Sequence, residues 1–200
     1  MRNLILGMNV SLDGFVAGPN GENDWIFLHS GDESKAWALR SLSDAGLHIM
    51  GSRSYAIMAP YWPSSTDVLA APMNDVPKVV FSRSGKAGMT QALEDAIRAV
   101  PATKAGASWG APRVASGDLR EEIERLKREP GKAIAAHGGV AFARSLVASG
   151  LIDEYRLAVH PIALGRGQSL FADLPKPLSL KVIETTTFAS GVEMRILRPA

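Results

Sequence analysis

Three junctions, each directly after a run of apolar residues, carry the groups best suited to holding an anion. The first is His137-Gly138-Gly139, which follows Ile134-Ala135-Ala136 and precedes Val140 and Ala141 at the start of an apolar, helix-prone stretch. Glycines at a strand-to-helix turn let backbone N–H groups approach a phosphate, and the helix N-terminus favours negative charge. A plain tight turn asks for the same residues, so the pair alone leaves both readings open. The second junction is Met50-Gly51-Ser52-Arg53-Ser54-Tyr55. Its guanidinium and hydroxyls, set where a helix begins, suit a phosphate monoester; a capped helix with a solvated Arg53 is the alternative. The third is Phe81-Ser82-Arg83-Ser84, at the end of a strand-like run. The carboxyl ends of parallel strands face ligands in open α/β sheets, although a polar turn would look alike. Three such junctions after three separate strands describe a shelf for a phosphorylated dinucleotide.

Two further segments carry polar or aromatic groups. Asp13-Gly14, within Ser11–Ala17, is first of all a turn dipeptide. Asn23-Asp24-Trp25 sets an acid beside an aromatic ring in a glycine-containing loop. The ring can stack on a flat ligand and the acid can bind or protonate a ring nitrogen, or Trp25 can simply anchor the loop. Histidines 29, 48, 137 and 160 lack metal-ligand spacing, so they read mostly as structural and no metal is expected. There is no GxSxG hydrolase elbow. With 0 cysteines the chain has no disulfide, thiolate or cysteine-based zinc site, which suits a reducing, cytoplasmic setting. The net charge of +2 permits an anionic ligand, and no basic run with interleaved aromatics argues for nucleic acid. The first apolar run is too short for a signal peptide. No stretch approaches the roughly 18 apolar residues of a membrane span.

These groups need a framework. The 200 residues, 46% hydrophobic and 21% charged, fit one domain spanning 1–200 with a core of its own. Apolar runs predict strands over residues 4–11 and 15–17, then 48–50 ending at Gly51, then 78–81 and 132–136. Helix signals begin near Asp32-Glu33, with Trp37, Leu39, Leu42 and Leu47 as candidate core positions. A helix is expected over 91–100, and 101–112, rich in Gly, Ala, Ser and Pro around Trp109, has the weakest signal. Asp118 caps the clearest helix, 118–129, with Leu119, Ile123 and Leu126 on one face. Glu121/Arg125 and Glu124/Arg128 are candidate i,i+4 pairs on the other. Gly138-Gly139 opens a helix that Gly150 closes. Residues 152–161 and 178–197 are strand-rich, the latter broken by a hairpin signal at Ser190-Gly191. The whole reads as α/β, with a mostly parallel sheet and an antiparallel C-terminal edge.

The motifs together resemble the dihydrofolate-reductase-like group, closest to the reductase domain of the bifunctional riboflavin-biosynthesis deaminase-reductase. The resemblance covers nearly the whole chain. Its pieces are Asn9-Val10-Ser11-Leu12-Asp13-Gly14-Phe15-Val16-Ala17, the three junctions, and Leu151–Arg156 leading to Pro161-Ile162-Ala163-Leu164-Gly165-Arg166-Gly167-Gln168-Ser169-Leu170-Phe171. It implies a three-layer fold and hydride transfer from NADPH to a small pyrimidine- or pterin-like substrate. It also implies that Asn9 and Val16 border the nicotinamide. Gly51, Ser52, Arg53, Ser54, Ser82 and Arg83 would hold the 2′-phosphate side, and His137, Gly138, Gly139, Val140 and Ala141 the pyrophosphate. The substrate would lie near Asp13, Asp24, Trp25, Leu164, Gly165 and Phe171, with Asp24 as the candidate catalytic group. The resemblance further implies a homodimer formed through the C-terminal strands. Two departures stand out. Ser52 occupies a position where the family often has arginine, the arginine following at Arg53. The acid that folate reductases carry on the first helix has no secure match, Asp32 and Glu33 being nearby. Folate reduction and a non-catalytic NADP(H)-binding module are the alternatives.

Overall fold

The rest of the fold is laid around β1 (Leu4–Ser11), an inner strand that is apolar and buried at Leu4–Leu6 and more open at Gly7, Met8 and Asn9. The computed structural model describes residues 1–99, 104–172 and 174–200. Short β2 (Phe15–Ala17) follows, then β3 (Ala45–Gly51), β4 (Lys78–Phe81), β5 (Arg113–Ala115), β6 (Ala133–Ala136) and β7 (Glu154–His160). After β8 (Gln168–Ser169) the chain closes with β9 (Leu180–Thr187) and β10 (Glu193–Pro199). The main sheet runs β5-β4-β3-β6-β1-β7-β10-β9. From β5 to β7 every pairing is parallel, and β10 and β9 are antiparallel. The expected mostly parallel sheet with an antiparallel C-terminal edge is what forms, and β2 pairs with β8 beside it.

Alternation along β1 sorts its side chains between two layers. Leu4, Leu6 and Val10 join the core with Ile123 and Leu126 of α6 (Leu119–Arg128) and Ala143, Leu146 and Val147 of α7 (Val140–Ser149). Met50 of β3 and Val80 of β4 instead pack with residues of α2 (Ser52–Tyr61), α3 (Ala70–Asp75), α4 (Thr90–Ala99) and α5 (Lys104–Gly110). Parallel strands need crossover connections, and these helices supply them.

The helix ends follow their sequence signals. Asp118 accepts from the Glu121 amide at 3.1 Å, capping α6. Gly150 ends α7 at φ +69°, a conformation that disfavours any residue with a Cβ. Three expectations are corrected. In α1 (Asp32–Ser43) no residue is buried. Trp37, Leu39 and Leu42 are only half-buried because the helix stands off the sheet over a cavity, while Leu47 is buried as part of β3. The weakly signalled stretch holds α5, whose Trp109 is wholly buried; positions 100–103 lie outside the described residues. On α6 the ion pairs are Arg120–Glu124 at 3.8 Å, Arg125–Glu129 at 3.5 Å and Arg125–Glu122. Arg125 turns to Glu122 and Glu129, which leaves Glu121 without it. Exposed pairs of this kind are worth so little that the choice scarcely affects stability. No helix among the described residues is long and apolar enough to cross a membrane.

Candidate functional site

The gap under α1 is a cavity of about 690 Å³. Its floor is the sheet, from Ile5, Gly7 and Asn9 of β1, Ala133 and Ala135 of β6, and Arg156, Ala158 and His160 of β7. Its walls are largely aromatic and apolar, including Phe27, Trp37, Met58, Tyr61 and Trp62. The charged groups in the wall are engaged. Lys35 Nζ and Asp67 lie 3.5 Å apart, and Arg156 bonds Glu154 at 2.7 Å and the Ser41 hydroxyl at 2.6 Å. Such a cavity suits a flat, weakly charged ring.

Next to it two helix starts converge. The N-caps of α2 and α7 are Gly51 and Gly139, and neither start is closed by a side-chain hydrogen bond. A Cβ placed on Gly139 would meet Ser54 Oγ at 3.4 Å, which shows how near the two starts lie. The Gly138–Gly139 peptide is cis. Gly51 has a packing reason of its own, since a Cβ there would stand 3.1 Å from Phe142 Cβ. Ser82 is buried at the end of β4, its hydroxyl 3.2 Å from that of Ser84. Arg53 and Arg83 are both exposed, and neither makes an ion pair or side-chain hydrogen bond among the described residues. Ser52 and Ser54 are half-buried in the first turn of α2. Val140 and Ala141 open α7.

Behind the shelf lies a polar chain that sequence reading overlooked. His137 Nε2 stands 2.8 Å from His48 Nδ1, and His48 Nε2 stands 2.9 Å from the Pro72 carbonyl. Burial pushes His48 down to about 4 against the pull of the Pro72 carbonyl, the Lys78 charge adding to the fall. Burial, then His48 and Lys78, holds His137 well below the usual imidazole range. Burial also brings the Lys78 ammonium down to about 7. An unfolded chain takes up imidazole protons below roughly pH 6.5, and the folded one refuses them until much lower. The stability the two imidazoles contribute is therefore complete above that pH and lost as the pH falls towards 4. The loss should be about 3 kcal/mol for His48 alone, read as a lower urea midpoint at pH 4.5 than at pH 7. An unchanged midpoint would contradict a buried neutral pair.

The expected substrate residues are dispersed. Asp13 accepts from the Ser11 hydroxyl at 2.6 Å and from the Leu164 and Gly165 amides at 3.1 and 2.7 Å, tying the loop after β7 to that after β1. Val16 is a core residue. Phe171 packs near Tyr155, ring centroids 6.2 Å apart. Asp24 is exposed on a 3-10 turn, Asp24–His29. Trp25, buried in that turn, meets His160 edge-on at 5.3 Å. Of the residues expected to touch cofactor or substrate, Asn9 and His137 line the cavity, and Asp13, Asp24, Trp25, Leu164, Gly165 and Phe171 do not. Asn9 is held by His160, its Oδ1 2.9 Å from Nε2. Burial and then His29 lower His160. No spacing motif links His160 to Asn9; the parallel register of β1 and β7 sets Ser11 opposite His160 and brings the two together.

Residues 2–194 match the family model described as the RibD C-terminal domain. The chain is 31% identical to YyaP of Bacillus subtilis (strain 168) over 196 residues, 96% of this chain and 92% of that one. Among solved structures it is similar to a putative riboflavin biosynthesis protein from Shewanella sp. PV-4, with a TM-score of 0.70, 20% identity and coverage of 100% and 99%. It is also similar to RibD of Acinetobacter baumannii, with a TM-score of 0.70 and 20% identity, all of this chain aligning with 58% of that one.

Proposed function

We propose that this chain, which belongs to the RibD C-terminal domain family, is an NADPH-dependent reductase of a small pyrimidine- or pterin-like compound. The observation that carries the reading is the convergence of two helix starts without side-chain caps, with Arg53 and Arg83 unpaired among the described residues, next to an aromatic cavity. A dinucleotide fits these residues. Backbone N–H groups at Gly139, Val140 and Ala141 and at the start of α2 stand at helix N-termini, where they can take phosphate oxygens. Arg53 and Arg83, with Ser82, would hold the 2′-phosphate. Bound NADPH supplies a hydride. The chain's own part is to hold the acceptor ring in the cavity that Trp37 and Trp62 line, keep water out, and fix orientation through Asn9 and His137. Similarity to RibD proteins, among them a diaminohydroxyphosphoribosylaminopyrimidine deaminase/5-amino-6-(5-phosphoribosylamino)uracil reductase from Thermotoga maritima of which this chain covers 57%, supports the same chemistry. Folate reduction is disfavoured. Asp32 and Glu33 are exposed, α1 sends no carboxylate into the cavity, and Asp67 there faces Lys35.

Gly139→Ala tests the cradle. At φ −78° the new methyl would have only Ser54 Oγ, at 3.4 Å, as a contact beyond its chain neighbours. The apo variant should melt like the parent while NADPH affinity drops about tenfold or more, because the methyl lies where the phosphates approach the amides. Normal melting with parental affinity would remove the cradle and most of the case for a nucleotide.

The same reading includes a two-fold homodimer. Edge strand β9 leaves Val182 and Ile183 about half exposed, and an uncovered apolar edge invites pairing. Light scattering at micromolar concentration should give about twice 21.3 kDa; the mass of one chain would remove the dimer.

A further inference from the structure

One polar ring in the cavity wall has its proton placed by its neighbours. The Pro72 carbonyl, 2.9 Å from His48 Nε2, can only accept. His48 therefore carries its hydrogen on Nε2. A neutral imidazole has a single N–H, so His48 Nδ1 is a bare lone pair. The only donor for that 2.8 Å contact is His137 Nε2, and a neutral His137 is then bare at Nδ1. The reversed assignment would set a lone pair of His48 Nε2 against the lone pairs of Pro72. A doubly protonated ring is opposed by burial, by the other imidazole and by the Lys78 charge. His137 belongs to the cavity wall, and its Nδ1 has no hydrogen-bond partner among the described residues.

We propose that His48 is a positioning residue that locks His137 in one tautomer, so that His137 offers the cavity a fixed hydrogen-bond acceptor and selects ligands with an N–H or O–H donor there. Between aromatic walls, the fitting ligand is a flat heterocycle bearing a ring N–H or an exocyclic amine. A ligand without the donor leaves the acceptor dry and unpaired, a penalty that discriminates better than shape does. The ring class rests on the proposed pyrimidine chemistry; the lock does not.

Long-range 1H–15N correlation spectra at neutral pH read the tautomers directly. The parent should show pyrrole-type Nε2 and pyridine-type Nδ1 on both His48 and His137. His48→Gln should preserve the His137 pattern, since a carboxamide can donate to Pro72 and accept from His137, whereas His48→Leu should lose it. Uracil should shift His137 Nδ1, and 1,3-dimethyluracil, whose N–H groups are methylated, should bind about tenfold or more weakly. A parent His137 protonated on Nδ1, or an unchanged pattern in His48→Leu, overturns the lock. Equal binding of the two probes overturns the selectivity. A locked parent that binds neither probe, while still binding NADPH, overturns the pyrimidine class and the selective role together.

Discussion

Protein carrying both Arg53→Ala and Arg83→Ala should bind NADPH about a hundredfold more weakly than the parent and NADH almost as well as the parent does. A charge-assisted hydrogen bond to phosphate contributes roughly 1.5–3 kcal/mol, and each 1.4 kcal/mol is a factor of ten. Two such contacts at full strength would exceed a hundredfold, but both guanidinium groups are exposed, and solvent and salt screening reduce them. Each single variant should lose about tenfold. Stability should stay within about 0.5 kcal/mol of the parent, because neither arginine is committed to a partner among the described residues and removing it orphans no buried group. Calorimetry at two salt concentrations checks the whole pattern. The NADPH loss should shrink as salt rises, and the NADH affinity should barely move. If both cofactors weaken equally, the arginines serve the pyrophosphate or the general field. If the parent binds the two cofactors alike, the 2′-phosphate assignment fails at the outset.

What could be read from the chain depended on whether the signal was local. The bounds of β1 and β4 are legible because apolar runs fall between turn residues, and those of α6 and α7 because Asp118 and Gly150 stand at their ends. The three junctions were legible for the same reason: strand, glycine or serine, and helix follow within a few residues. The cavity was not legible. Asn9, Trp37, Trp62, His137 and Arg156 meet only because α1 spans the sheet without descending onto it. The half-apolar face of that helix gives no hint of the stand-off. The His48–His137 pair joins residues 89 apart through neighbouring parallel strands β3 and β6, a contact set by register. The sequence reads Asp13 and Trp25 as residues on the substrate side. Their visible work is to tie the loop after β7 and to pack on His160.

Trp109→Ala should be among the most destabilising single changes in the chain, and it falls where the sequence looked least structured. The ring is fully buried among Met50, Tyr55, Met73, Val80 and Met89, and its removal leaves a void that the surrounding strands and helices cannot fill. Truncating a buried aromatic costs about 3–5 kcal/mol, against a total stability of about 5–15 kcal/mol for a domain. Polar losses add to this. Trp109 Nε1 donates to Asn74 Oδ1 at 2.8 Å, and the Lys78 ammonium sits 4.5 Å from the ring centroid. The Tyr55 hydroxyl, pushed up to about 12 by burial and so a firm donor at neutral pH, bonds the Trp109 carbonyl at 2.5 Å. That last bond is to the backbone and survives substitution only while α5 stays in place. Trp109→Phe separates the contributions. It keeps most of the volume and leaves Asn74 Oδ1 without its donor, for about 1–3 kcal/mol. Urea denaturation should therefore rank the parent first, Trp109→Phe next and Trp109→Ala last. The effect should also reach the cavity, because Asn74 Nδ2 holds the Trp62 carbonyl at 3.0 Å and Trp62 is part of the wall. Folded Trp109→Phe should then bind a ring ligand more weakly while NADPH affinity changes little, since Gly139, Arg53 and Arg83 lie outside this network. A Trp109→Ala protein within 1 kcal/mol of the parent would show that α5 is not part of the core, and with it the account of how that wall is held would fall.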